Sequence, residues 1–230
     1  MVLDQLRELG ITSGPVLLEP SARNTAPAMT LAALAAAEGD ADPVLVVSPA
    51  DHVVADMVAF TRAMNTAQGA IVVLGITPER PETGYGYIKC VHGSQAARVV
   101  SQFVEKPDLV TAERYLAEGN YTWNSGMFVL RASTWLDALK RFRPDILSAT
   151  ANAWAVRKTD QRFVRPGAAE FAAVPAESID YAVMEHCPGS GIDIRMVPLS
   201  AGWNDLGAWD AVWQVAPKDS MGNAALGDAM

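Results

Sequence analysis

The sequence predicts an α/β protein built around a mixed, mostly parallel β-sheet. Three observations carry that prediction. Short apolar runs such as Val44–Val47 and Ile71–Leu74 have the continuous hydrophobicity of strands buried on both faces. Segments with helical spacing of apolar residues alternate with those runs. Gly, Pro and small polar residues stand at the changeovers, where elements start and stop. Strands alternating with helices imply a sheet covered on both faces. No internal repeat, low-complexity tract or interdomain linker interrupts the pattern, so residues 1–216 read as one layered domain.

Val2, Leu3, Leu6 and Leu9 follow helical spacing, and Gly10 closes that helix. Pro15–Leu18 is a short strand. Thr25 followed by Pro27 is the pattern of an N-cap with proline in the first turn, and a helix of small residues runs over Ala26–Ala37 to Gly39. A polar turn, Ser48–His52, follows the Val44–Val47 strand. Asp56 then caps a helix reaching Gln68, and Ile71–Leu74 is the next strand. Tyr85–Lys89 and Arg98–Val104 pair around a loop near Gly93. Asp108–Glu118 is a helix, Trp123–Leu130 a strand, and Ser133–Phe142 a helix that stops before Pro144. A mainly helical stretch reaches Val156. Ser178–His186 is a short helix, Ile192–Leu199 a strand, and Trp203–Gly207 leads into a last helix over Ala208–Val215. Residues 217–230, rich in Gly, Ala and Asp, read as the start of a connection.

Composition narrows the function classes. Half of the 230 residues are hydrophobic and 19% are charged, a globular composition. Lys and Arg number 18 against 26 Asp and Glu, a net charge of −8. A nucleic-acid partner demands a basic face, so none is expected. Small phosphorylated ligands need only a few local cations. No apolar run approaches the roughly 18 residues of a membrane span. The two cysteines, Cys90 and Cys187, stand far apart without a CxxC neighbourhood, which excludes a cysteine zinc site and points to a reducing, cytoplasmic compartment.

Ligands of open α/β sheets gather at the carboxyl ends of strands. Asp51, the pair Glu105 and Lys106, and Asp205 all fall after predicted strands. Two carboxylates at such an edge suit Mg²⁺, which takes one or two of them and leaves its other positions to water and phosphate. The same acids also serve as ordinary cap or turn residues.

Seven strings stand in a fixed order from Glu19 to Gly207: Glu19–Ala28, Ser48–His52, Gly84–Ile88, Phe103–Pro107, Trp123–Phe128, Ser178–Glu185 and Gly202–Gly207. Together they closely resemble the bacterial mannose-1-phosphate guanylyltransferases, including the guanylyltransferase half of bifunctional enzymes that also carry mannose-6-phosphate isomerase. The resemblance implies a three-layer α/β/α Rossmann-like nucleotide-diphospho-sugar transferase fold, with residues 1–216 as catalytic domain. It implies transfer of a guanylyl group from GTP to mannose 1-phosphate. By position it makes Asp51 and Asp205 the magnesium-binding carboxylates and Lys106 the cation facing the sugar phosphate. Gly86, Glu105 and Asn124 become the mannose contacts, and Arg23 and Asn24 belong to a base-recognising loop.

The chemistry suits such roles. A sugar 1-phosphate is already ionised, so attack on the α-phosphorus requires positioning and charge stabilisation in place of a deprotonating base. Glycine at position 86 lets a sugar approach the backbone, and a carboxylate and an amide can each bind pairs of hydroxyls. Plainer readings stay open. Gly86 reads equally as a strand irregularity, Lys106 as a solvated loop charge, and Arg23 and Asn24 as caps of the following helix. His52 reads as a structural hydrogen-bonder, Asp180 as a first-turn acid, and Trp123, Trp203 and Trp209 as wall and core.

The chain departs from the family in two respects, one being that no C-terminal β-helix or isomerase domain is expected within residues 1–230. Such enzymes open with a strand and a glycine-rich loop that cradles nucleotide phosphates, whereas no Gly-Gly dipeptide occurs here. The expectation is an internal fragment with little turnover of its own and with unpaired strand edges. Such a fragment would self-associate or pair with an N-terminal piece. A non-catalytic sugar-phosphate binding module is the competing functional class. A dinucleotide oxidoreductase is excluded by the lack of G-x-G-x-x-G after a first strand.

Overall fold

The computed structural model describes residues 2–39, 42–66, 71–91, 95–207 and 209–225. Gln68, Gly93, Ala208 and the end of the 217–230 segment lie outside them. The chain divides into two compact units, one of Met1–Leu45, Gly69–Ile71 and Leu130–Asp193, the other of Val46–Gln68, Val72–Val129 and Ile194–Met230.

The first unit is mainly helical. It holds α1 (Val2–Glu8), β1 (Val16–Leu17), α2 (Thr25–Ala36), α5 (Ala132–Phe142), α6 (Pro144–Ala155), β8 (Lys158–Asp160), β9 (Phe163–Arg165), α7 (Ala168–Ala172) and α8 (Ile179–Ala182), followed by a 3₁₀ turn over Met184–His186. The cap of α2 is Asn24, not Thr25 as the spacing suggests. Asn24 Oδ1 accepts from Thr25 N at 2.8 Å, while Thr25 Oγ1 accepts from Ile179 N at 2.9 Å and ties α2 to α8. Trp135 of α5 is fully buried, and its Nε1 donates to Thr30 Oγ1 of α2 at 3.0 Å. The β8–β9 hairpin extends into a three-stranded sheet through parallel pairing of β1 with β9. Neither that hairpin nor α7 is foreseen, because elements of three to five residues display fewer than two periods of their pattern.

Strands β2 (Val44–Val47), β4 (Ile71–Ile76), β5 (Tyr87–Cys90), β6 (Arg98–Val104), β7 (Tyr121–Arg131) and β10 (Ile194–Pro198) form a six-stranded sheet in the order β2-β7-β4-β10-β6-β5, mostly within the second unit. The sheet is mixed, but its antiparallel share exceeds what the alternation predicts. β7 runs antiparallel to β4 and β5, and β6 antiparallel to β10 and β5. The short β5–β6 connection enforces the antiparallel pairing of β5 with β6, because only a longer crossover returns a strand in parallel. Val44–Val47 is a second correction. β2 lies at the sheet's edge beside β7, and Val44 and Val46 are 52% and 58% exposed. An apolar run cannot by itself distinguish a covered strand from an edge.

Helix α3 (Met57–Thr66) starts as Asp56 predicts, with Asp56 Oδ1 accepting from Val58 N and Ala59 N at 2.9 Å each. Its Ala63 packs with Val72, Leu74, Met127, Val129, Val197 and Leu199. Helix α4 (Leu109–Glu118) is capped by Asp108 and ended by Gly119 in the left-handed region, and it packs Ala112 and Tyr115 against Tyr87, Tyr121 and Trp123. Two further strands, β3 (Val53–Val54) and β11 (Trp203–Asn204), form a separate antiparallel pair before α9 (Trp209–Val215).

Both cysteines are free thiols. Burial raises the Cys187 thiol to about 12 and the Cys90 thiol to about 11, with Arg141 and Arg98 respectively opposing the shift. A folded-state value above the unfolded one means stability that is complete below the unfolded pKa and lost as pH rises. Between about pH 9 and the folded values, the unfolded chain sheds protons that the native chain keeps. The melting temperature should therefore fall from pH 8 to pH 10 more steeply in the wild type than in Cys187→Ala. Equal slopes would refute the assignment.

Candidate active site

The second unit positions six of the eight predicted site residues. Gly86 lies just before β5, and its carbonyl accepts from Asn124 N at 2.7 Å. A methyl on Gly86 would lie 2.6 Å from Glu105 Oε2 and 3.2 Å from Asn124 Cβ. The three residues assigned to the sugar are thus adjacent, and the backbone at 86 is bare where Glu105 and Asn124 approach it.

Asn124 sits where the β4–β7 register shifts: Val73 pairs with Phe128, but Gly75 pairs with Asn124. This irregularity re-aims β7 at Asn124, Ser125 and Gly126, a known use of strand bulges beside functional sites. Asn124 and Ser125 are buried polar residues. Asn124 Oδ1 accepts from Gly126 N at 3.1 Å. Gly126 adopts φ +71, and a methyl there would lie 3.7 Å from both His52 Cε1 and Pro49 Cγ, so the irregular part of β7 runs close beneath the Ser48–His52 turn.

Glu105 and Lys106 follow β6. Their ion pair spans 3.2 Å, with the glutamate side chain 7% and the lysine 56% exposed. Lys106 has φ +46 and Leu206 φ +52, left-handed conformations that a non-glycine residue rarely adopts. Strain of this kind concentrates at ligand sites, and here it flanks Glu105 and Asp205.

Asp51 precedes β3 and Asp205 follows β11, the two strands of one antiparallel pair. Trp203 pairs with Val54 and Asn204 with Val53, so the antiparallel register carries Asp205 alongside the His52–Asp51 turn. Trp203 Nε1 donates to His52 Nδ1 at 3.2 Å, which makes Nδ1 the acceptor. Burial lowers the His52 pKa, against the opposing pull of Asp51 and Asp205. His52 is thus the structural hydrogen-bonder that the sequence suggests. Asp205 Oδ1 accepts from Tyr85 OH at 2.7 Å and from Gly207 N at 3.2 Å. Tyr85, Asp205 and Gly207 line a cleft of about 210 Å³ together with Arg80 and Glu82. Among the described residues no group of three or more His, Cys, Asp or Glu side chains could hold a metal. A cation held by Asp51 and Asp205 would complete its sphere with water or phosphate, the habit of Mg²⁺.

Arg23 and Asn24 belong to the first unit. Asn24 is the α2 cap, with φ +65, and Arg23 donates from its guanidinium to the Ala172 carbonyl. Both side chains therefore serve local structure. Asp180 is the first-turn acid of α8, below the Ser178 cap. Sequence reasoning passes over Tyr85. It lies inside the Gly84–Ile88 string, but an aromatic beside a strand reads as core, and its partner is 120 residues away.

Comparison with known proteins places this arrangement in a family. Residues 2–221 match the nucleotidyl transferase family. The xanthan biosynthesis protein XanB of Xanthomonas campestris pv. campestris (strain B100) is 48% identical over 235 residues, covering 100% of this chain and 49% of that protein. The mannose-1-phosphate guanylyltransferase of Escherichia coli (strain K12) is 45% identical over 242 residues, covering 100% and 50%. A solved structure described as a mannose-1-phosphate geranyltransferase from Thermus thermophilus superposes with TM-score 0.76 at 34% identity, over 91% of this chain and 60% of that one. The chain spans about half the length of the curated relatives it matches. No helix among the described residues is long and apolar enough to cross a membrane. With the family match running nearly end to end and the fold shared with a solved relative, the chain belongs to the nucleotidyl transferase family.

Proposed function

We propose that this chain carries the catalytic residues of a mannose-1-phosphate guanylyltransferase. The observation that supports this reading best is the junction of Gly86, Glu105 and Asn124, where bare backbone, a carboxylate and an amide adjoin. The names of both relatives support mannose 1-phosphate as a substrate, and the guanylyltransferase of Escherichia coli supports GTP as the donor.

In this reading a phosphate oxygen of mannose 1-phosphate attacks the α-phosphorus of GTP. The bond from that phosphorus to the β-phosphate bridging oxygen breaks, and pyrophosphate leaves with the electron pair. Glu105 and Asn124 bind sugar hydroxyls, and Gly86 lets the ring approach. Lys106 neutralises the sugar phosphate, while Arg23 and Asn24 belong to the first unit, in the segment that resembles a base-recognising loop. Asp51 and Asp205 would hold Mg²⁺, and Gly207 supports that fit, since any methyl there would crowd Asp205 Oδ2 at 2.8 Å. Bound there, the ion would supply charge stabilisation to the phosphates. The enzyme's own contribution is in-line positioning of two anions.

Calorimetric titration with mannose 1-phosphate and with GTP, alongside an assay for GDP-mannose and pyrophosphate, tests the proposal. The expected result is binding of both ligands, with product formed only slowly from the pair. Binding of mannose 1-phosphate alone, without GTP binding or turnover, would instead establish the non-catalytic sugar-phosphate module.

A further inference from the structure

Tyr85 is placed unlike an ordinary core aromatic. Its ring meets Trp123 and Trp203 edge-on, with centroids 5.3 and 5.5 Å away. Trp123 belongs to β7 and Trp203 to β11, so the ring is wedged between the strand that carries Asn124 and the strand that leads to Asp205. Such edge contacts favour a single ring position, and with it a single hydroxyl position. From there the hydroxyl donates to Asp205 Oδ1 at 2.7 Å. That oxygen also accepts from Gly207 N, and among the described residues no donor is seen on Oδ2. The neighbouring Gly86 faces Glu105 and Asn124. One dipeptide therefore touches the sugar-side residues through its glycine and Asp205 through its tyrosine.

We propose that Tyr85 is a positioning residue for Asp205, whose hydroxyl clamps one carboxylate oxygen and leaves the other for a divalent cation. The inference rests on the reading of Asp51 and Asp205 as the cation site. A hydroxyl donating to an ionised carboxylate is a strong hydrogen bond, and an outer partner that orients a ligand commonly governs affinity by one or two orders of magnitude. Leu206 at φ +52 supports the same view, because a strained backbone beside Asp205 needs outside contacts to hold its orientation.

The test is Mn²⁺ binding to the 230-residue chain, followed by electron paramagnetic resonance of the free ion, in the wild type, Tyr85→Phe and Asp205→Asn. Phenylalanine keeps the ring and its two tryptophan contacts and removes only the hydroxyl. Tyr85→Phe should weaken Mn²⁺ binding about tenfold while mannose 1-phosphate affinity and melting temperature stay near wild type. Asp205→Asn should weaken it further. If Asp205→Asn binds Mn²⁺ as the wild type does, the cation site itself is misassigned and the role of Tyr85 falls with it. If only Tyr85→Phe is unaffected, the cation site stands and the positioning role is overturned. Parallel loss of Mn²⁺ binding, sugar-phosphate binding and melting temperature in Tyr85→Phe would overturn it in favour of general packing.

Discussion

Gly86→Ala is expected to weaken mannose 1-phosphate binding by one to two orders of magnitude without unfolding the chain. The added methyl would lie 2.6 Å from Glu105 Oε2, closer than real side-chain contacts come. That oxygen ends a flexible side chain, so the carboxylate can move and the backbone need not. The Asn124 Cβ at 3.2 Å yields less, because Asn124 is held by its N–H to the Gly86 carbonyl and by Gly126. In the proposed reading, the methyl therefore fills the space a sugar ring would take and displaces a carboxylate that would bind its hydroxyls. Losing one hydrogen bond to a charged group costs about 1.5–3 kcal/mol, and each 1.4 kcal/mol is about tenfold in affinity. Titration calorimetry with mannose 1-phosphate measures it. Wild-type affinity in the alanine variant would remove the sugar assignment from all three residues.

Trp135→Ala is expected to cost about 3–5 kcal/mol of stability, the range for deleting a buried large aromatic. Trp135 is 0% exposed, and its indole N–H donates to Thr30 Oγ1. The Thr30 hydroxyl itself donates a hydrogen bond to the Ala26 carbonyl at 2.7 Å, so the indole satisfies a buried oxygen one turn inside α2. Alanine leaves both a cavity and an unanswered acceptor. For a chain of this size each 1 kcal/mol lowers the melting temperature by about 2–4 °C, so a fall of about 6–20 °C is expected. Trp135→Phe keeps most of the packing and should fall less. Differential scanning calorimetry decides it, and an unchanged midpoint in the alanine variant would show that the α2–α5 contact does not limit stability.

How much of the molecule is legible in its residues depends on the distance over which each signal acts. Asp108 and Gly119 mark the ends of α4 because a cap is a local bond between neighbours. Arg98–Val104 is the observed β6, and Asp56 starts α3 as its position predicts. Spacing favours Thr25 as the α2 cap, but its hydroxyl is taken by Ile179, 154 positions later, and the role passes to Asn24. The Val44–Val47 run is a strand, as its composition predicts, but not a covered one, because sheet order is absent from a run's composition.

The candidate site divides the same way. Its residue types and their order along the chain suffice to indicate family chemistry, since a carboxylate, an amide and a bare glycine are recognisable wherever they stand. Their assembly is decided only by folding. Two-residue strands have no periodicity, yet the β3–β11 pair sets Asp205 beside the Asp51 turn. The register shift in β7 aims Asn124, and a bond spanning 120 residues gives Tyr85 its place. Caps, turns and helical faces follow from interactions within a few residues, which the chain's own order dictates. Register, edge exposure and the meeting of distant side chains depend on which surfaces pack together, a choice made by the whole chain at once.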